Sequence, residues 1–110
     1  MLVQARWENE TRILILSGRF DKSARVPVET ALAAGEGRPW KQVVMDFSRV
    51  SSMDSAGIGK ILLLYHSLRK KGVALAVINP NPCVEGLLHL VSLATIIPII
   101  HEKSDVRSVA

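Results

Sequence analysis

The stretch VVMDFSRVSSMDSAGIG, from Val43 to Gly59, decides the fold. Four of its first five residues are apolar, which predicts a strand buried on both faces. The residues from Ser48 to Met53 are mostly polar and predict a loop. Apolar residues then recur at the spacing of a helix that continues to Lys71. The predicted apolar face of that helix consists of Ile58, Ile61, Leu62, Tyr65 and Leu68.

Asp54 and Ser55 stand where this helix begins. Either side chain can cap the helix by accepting a hydrogen bond from one of its first amides. The unpaired amides and the positive end of the helix dipole also make this a good position for a phosphate added to a serine hydroxyl. On the residues alone, a cap and a phosphorylation site remain equally open for Ser55.

Five apolar runs predict the strands of one mixed sheet. The first two are separated by a polar turn and predict a hairpin, in which Gly18 indicates a bulge or a close backbone approach. Pro98 confines the last run to a sheet edge or a bulge. The predicted strands are Leu2–Trp7, Arg12–Phe20, Val43–Phe47, Val73–Ile78 and Thr95–Ile100.

Three helices are predicted between these strands. Pro27 fits the first turn of the first helix, and Gly35 marks its end. Gly72 ends the central helix. Asn81 and Pro82 supply the cap and the first turn of the third helix.

The composition agrees with a globular protein of one domain. The chain has 110 residues, of which 48% are hydrophobic and 22% are charged. With the strand and helix order, this predicts an α/β domain over residues 1–110, with a sheet of about five strands and helices packed against it. We expect a polar tail from about residue 101, which adds a helical turn from Ser104 or frays. A single cysteine, Cys83, and the lack of a long apolar run favour a cytoplasmic protein without a membrane span.

The charge pattern narrows the class of partner. A net charge of +4 and a pI of about 9.6 suit an acidic partner, a nucleic acid or a membrane surface. The basic residues are scattered except at Arg69-Lys70-Lys71, and few aromatic residues are present for base stacking, so nucleic-acid binding is not favoured.

Asp46 and Asp54 suit hydrogen-bonding roles better than a pair of catalytic acids. The histidines lack metal-ligand spacing, so we expect no metal site. No general acid–base pair or cofactor-binding loop stands out in the sequence, so we expect no enzyme and no cofactor.

Two motifs carry a resemblance to a known family. They are VMDFSRV, from Val44 to Val50, and MDSAGIG, from Met53 to Gly59, with support from Gly18-Arg19-Phe20-Asp21 and Gly72. In these motifs the chain resembles the STAS domain family of bacterial anti-sigma factor antagonists and of the cytoplasmic tails of sulfate transporters. The resemblance implies partner switching. The unmodified domain binds an anti-sigma factor that is also a serine kinase, phosphorylation of a loop serine reverses binding, and a serine phosphatase resets the switch.

The same resemblance implies that Ser55 is the phosphorylated residue. Ala56 stands where many family members have a second hydroxyl, so Ser55 is the only hydroxyl directly after the aspartate of the signature. Gly57 and Gly59 leave the first helical turn without bulk, so that a partner backbone can approach. Leu63 points away from the apolar face of the helix and suits either a partner contact or packing beneath a loop. The residues expected to meet the partner are Asp54, Ser55, Ala56, Gly57, Gly59, Leu63 and Asp21, the last of which is typical of a turn or a cap.

A second function stays open from the sequence. The chain also suits a STAS regulatory subunit of a membrane transport ATPase complex, which needs no phosphorylation. Its basic charge and the cluster Arg69-Lys70-Lys71 suit a surface near anionic lipid. The intact Asp54-Ser55 pair favours the signalling function instead.

Overall fold

The structure, a computed structural model, describes residues 1–34 and 40–102. Its strands form one mixed sheet in the order β1-β2-β3-β4-β5. The first two strands pair antiparallel as the predicted hairpin, and every other pairing is parallel. The strands are β1 (Leu2–Glu8), β2 (Thr11–Phe20), β3 (Gln42–Met53), β4 (Ala74–Ile78) and β5 (Ile99–Ile100).

The three predicted helices are present, and the end of the second and the start of the third follow the expected chemistry. They are α1 (Arg25–Ala33), α2 (Ser55–Lys70) and α3 (Pro82–Leu90). The Asn81 side chain accepts a hydrogen bond from the Val84 amide and caps α3, as predicted. Gly72 has a φ of +72° after the end of α2, a conformation that suits glycine and confirms its role as the helix stop. The predicted stop at Gly35 and the predicted turn from Ser104 lie outside the described residues.

All three helices contribute to a core on one face of the sheet. Successive residues of a strand point to opposite faces, and alternate residues of the central strands belong to the same buried cluster as the helices. Ile13, Asp46 and Ile78 are buried at the intervening positions of the other face. The strand residues of the cluster include Leu14, Leu16, Val43, Met45, Phe47, Leu75 and Val77, and its helix residues include Val28, Ile61, Leu64, Leu68, Val84 and Leu88.

The central strand is longer than predicted, because β3 continues through the segment 48–53 that we expected to be a loop. Two shifts in the register between β2 and β3 explain the difference. The second shift lies opposite Gly18, where we predicted a bulge, and it leaves Ser51 as an extra residue of β3 without a partner in β2. Burial in this part of β3 therefore recurs every third residue, at Val50 and Met53, instead of every second residue. The sequence of this part of β3 therefore lacks the alternation expected of a strand and was predicted as a loop.

The buried face of α2 also differs from the prediction. Ile61 and Leu68 are buried as expected, but Leu62 is 38% exposed and Leu64 is buried in its place. The buried residues begin with Gly57, and their spacing of three to four residues centres the stripe on that glycine. Ile58 and Tyr65 are partly buried against the core, so the predicted face was right except at Leu62. The centre of the stripe was displaced because Gly57 has no side chain and gave no apolar signal in the sequence.

The last strand is shorter than predicted. Only Ile99 and Ile100 pair with β4, while Leu93–Thr95 forms a 3₁₀ turn. The strand lies at the edge of the sheet, as Pro98 led us to expect.

Candidate partner-binding site

Asp54 caps α2 and leaves Ser55 at the surface. The Oδ1 atom of Asp54 accepts a hydrogen bond from the Gly57 amide at 3.0 Å. Ser55 is the first residue of the helix and is exposed. The capping role that the sequence left open for both residues is therefore taken by Asp54. A group attached to the Ser55 hydroxyl would not remove the cap.

Gly57 and Gly59 have different surroundings, although the sequence predicted an open surface at both. A Cβ atom on Gly57 would lie 2.1 Å from the carbonyl oxygen of Phe20 and 2.9 Å from Cγ of Met53. The missing side chain of Gly57 thus makes room for β2 inside the protein, which corrects our interpretation. Apart from the adjoining residues and the backbone of α2 itself, no atom lies within 4 Å of a Cβ placed on Gly59, so an open surface is confirmed only there.

Asp21 and Asp54 come together at the end of the sheet. Both line a small hollow of about 90 Å³, together with Arg19 and Ser52. Asp21 caps the 3₁₀ turn Lys22–Ala24, as its turn-forming character predicted, by accepting hydrogen bonds from the backbone and hydroxyl of Ser23 at 2.9 and 2.5 Å. These bonds hold the pKa of Asp21 below its ordinary value, and the nearby charge of Arg19 adds to the effect.

Arg19 was not among the residues predicted for the site. It faces Ser52 because of the second register shift. The only signal in the sequence was its place in the motif Gly18-Arg19-Phe20-Asp21.

Leu63 lies two helical turns beyond Ser55 and is 67% exposed, which confirms its outward direction. It lines a groove of about 450 Å³ between α1 and α2, in which Leu32 and Leu64 supply apolar surface. On the rim, Nζ of Lys60 lies 2.7 Å from Oε2 of Glu29. The predicted site thus consists of a polar part around Ser55 and an apolar part around Leu63.

Asn81 was predicted only as a helix cap, but its side chain also reaches β3. Its Nδ2 donates hydrogen bonds to the carbonyl oxygens of Val50 at 3.1 Å and Ser51 at 3.2 Å. Near the first register shift, Oδ1 of Asp46 accepts a hydrogen bond from the Ser48 amide at 3.0 Å. Each irregular part of β3 is therefore stabilised by an amide or carboxylate side chain. For Asp46, this is the hydrogen-bonding role that we predicted.

The other polar candidates lie on the surface. His66 is exposed, and His89 and His101 both contact Glu85, at 3.5 and 2.9 Å. Within residues 1–34 and 40–102, no group of three or more histidine, cysteine or acidic side chains is arranged to hold a metal ion. In the same part of the chain, every helix is too short or too polar to cross a membrane.

Comparisons with known proteins agree with this architecture. Residues 3–106 match the profile of the STAS domain. An anti-sigma F factor antagonist from Paenibacillus polymyxa is 33% identical over 102 residues, which cover 90% of this chain and 87% of that protein.

Two solved structures have the same fold. SpoIIAA, an anti-sigma factor antagonist in its unphosphorylated form, has a TM-score of 0.73 at 23% identity, covering 94% of this chain and 90% of that one. The Bacillus cell fate determinant SpoIIAA in its phosphorylated form has a TM-score of 0.68 at 22% identity, covering 99% and 100%.

Proposed function

This chain belongs to the STAS domain family, and from that premise we propose that it is an anti-sigma factor antagonist. In this proposal it binds a serine-kinase anti-sigma factor while Ser55 is unmodified, and phosphorylation of Ser55 ends the binding. One observation carries the proposal: Ser55 is exposed at the first residue of α2, directly after the capping Asp54. The antagonist from Paenibacillus polymyxa supports the general role.

Phosphorylation of Ser55 would change the free domain little. The phosphate adds roughly −1.5 to −2 charges at neutral pH. The carboxylates of Asp54 and Asp21 repel that charge, while the amide end of α2 attracts it. The cap between Asp54 and Gly57 does not use the Ser55 hydroxyl, so the start of the helix stays intact.

The effect on a bound partner is much larger. A phosphate that is buried in an interface without a compensating cation typically costs several kcal/mol, which lowers affinity by orders of magnitude. The proposed surface consists of the exposed side chains around Ser55, the open turn at Gly59 and the apolar part at Leu63. Gly57 is buried and contributes to this surface indirectly, by allowing α2 to pack closely against β2. A serine phosphatase would restore the binding surface by removing the phosphate.

The proposal is tested by binding measurements with the serine-kinase anti-sigma factor of the source organism. We expect Ser55→Ala to bind as well as the unmodified protein and Ser55→Glu to bind at least 100-fold more weakly, with little change in melting temperature. Leu90→Glu, which adds a carboxylate at an exposed position of α3, is the matched control and should bind normally. Equal affinity of Ser55→Glu and wild type would refute the switch.

Incubation with the kinase and ATP tests the modified residue directly. Mass spectrometry should find the phosphate on Ser55 and none on the Ser55→Ala variant. Phosphate on another residue would contradict the assignment. A domain that binds a membrane transport ATPase, regardless of the residue at position 55, would indicate the regulatory-subunit function instead.

A further inference from the structure

Within residues 1–34 and 40–102, the end of β3 has a neighbouring strand on one side and none on the other. β4 pairs with β3 only along Gln42–Asp46, whereas β2 pairs with β3 as far as Met53. On the side that β4 leaves uncovered, the side chain of Asn81 donates to the carbonyl oxygens of Val50 and Ser51. The Asn81 side chain thus supplies two hydrogen bonds on the side where β3 has no neighbouring strand among the described residues.

The register shift explains why one side chain reaches two consecutive carbonyls. In a regular strand, consecutive carbonyls point to opposite sides. Ser51 is the extra residue of the second shift, and there both carbonyls face the Asn81 amide. An asparagine amide offers two N–H donors and one carbonyl acceptor. Both donors bind carbonyls of β3, and the Asn81 side-chain carbonyl accepts the hydrogen bond from Val84 that caps α3.

We propose that Asn81 is a positioning residue that fixes the end of β3 and, through it, the location of Ser55. β3 leads directly into Asp54, whose amide donates to the carbonyl of Phe20 in β2 at 3.4 Å. The segment before Ser55 is therefore held by β2 on one side and by Asn81 on the other. The effect of Asn81 on Ser55 phosphorylation rests on the proposed function, whereas its role in holding the end of β3 does not.

Hydrogen exchange of the isolated protein, measured by NMR, decides the structural part. Serine caps a helix about as well as asparagine but has no amide donors, so Asn81→Ser separates the two roles. We expect amide exchange about tenfold faster over residues 50–54 and unchanged exchange over residues 84–88. Asn81→Asp also keeps the cap but places oxygen atoms against the two carbonyls. Amide exchange over residues 50–54 should therefore be faster in Asn81→Asp than in Asn81→Ser.

A pure capping role predicts a different result. Asn81→Ser would then leave exchange over residues 50–54 at the wild-type rate, and this outcome would overturn the inference. The melting temperatures of both variants show whether they remain folded. Asn81→Ala, which removes cap and donors together, should accelerate exchange in both segments.

Phosphorylation kinetics then test the consequence for Ser55. With the serine-kinase anti-sigma factor and ATP, we expect kcat/KM for Asn81→Ser to fall severalfold below wild type. A normal rate together with faster exchange over residues 50–54 would overturn the positioning role. Absence of phosphate on wild-type Ser55 would refute the proposed function, while the exchange result would still decide whether Asn81 holds β3.

Discussion

The starts of α2 and α3 use the same cap but differ in what surrounds it. Each helix follows a parallel strand, and each is capped by a side-chain oxygen that accepts the amide three residues later. The accepting atoms are Oδ1 of Asp54 and Oδ1 of Asn81, at 3.0 and 2.9 Å. Asn81 also donates to β3, whereas an ionised aspartate only accepts.

This difference separates a structural helix start from one that is available for function. At α3, the capping residue joins the helix to the sheet and is followed by Pro82, which has no amide hydrogen to offer. At α2, the capping residue is followed by the exposed Ser55. The helix that carries the proposed switch is thus capped by Asp54, whose side chain accepts a hydrogen bond from its own helix. Asn81, in contrast, also donates hydrogen bonds to β3.

The largest effect on stability is expected within α2, from Gly57→Ala. The added methyl group would meet the Phe20 carbonyl oxygen at 2.1 Å and Cδ1 of its ring at 2.8 Å. Since backbone atoms cannot move aside cheaply, we expect the free energy of unfolding to fall by about 3 kcal/mol. Chemical denaturation measures the change.

Gly59→Ala is the matched control, because it makes the same substitution two residues later. Open space surrounds the added methyl group, and alanine favours the helix over glycine, so stability should rise by up to about 1 kcal/mol. A similar loss of stability in both variants would contradict the different surroundings that we assign to these glycines.

A smaller difference is expected between the two caps. Asp54→Ala removes one capping bond and should cost about 1 kcal/mol of unfolding free energy. Asn81→Ala removes a cap and two further donors, so we expect a loss roughly 1 kcal/mol greater. Denaturant midpoints compare the variants, and equal losses would show that the bonds to Val50 and Ser51 contribute nothing to stability.

The sequence predicted these helix starts because capping is local chemistry. Asn81 beside Pro82 and Asp54 before a periodic apolar run are recognisable without knowledge of the fold. The family resemblance then predicted phosphorylation of Ser55, which stays a prediction. The mixed sheet of about five strands and the outward direction of Leu63 were also predicted correctly, because both follow from the pattern of apolar residues along the chain.

The features that were missed depend on contacts between distant segments. The end of β3 did not resemble a strand because a register shift against β2 changes the spacing of its buried residues. The core position of Gly57 follows from its contact with Phe20, and a glycine gives no apolar signal in the sequence. The second role of Asn81 depends on Val50 and Ser51, about thirty residues earlier in the chain. Local periodicity contains none of this information.

The smallest effect concerns the ion pair that joins the beginning of α2 to α1. A hydrogen bond from Lys60 and the charge of Lys60 hold the pKa of Glu29 below its ordinary value of 4.5, and Arg25 adds less. The folded state therefore binds fewer protons than the unfolded state near that pH, so the stability from this pair is present above pH 4.5 and is lost as the pH falls through the folded pKa.

We expect Lys60→Met to have a slightly lower melting temperature than wild type at neutral pH, with the difference shrinking in acid. Arg25→Met, which removes a cation 3.6 Å from the same carboxylate, should show the same trend with a smaller difference. A difference between wild type and Lys60→Met that does not change with pH would mean that Lys60 stabilises the helix pair through its packed side chain, only 13% exposed, and not through its charge.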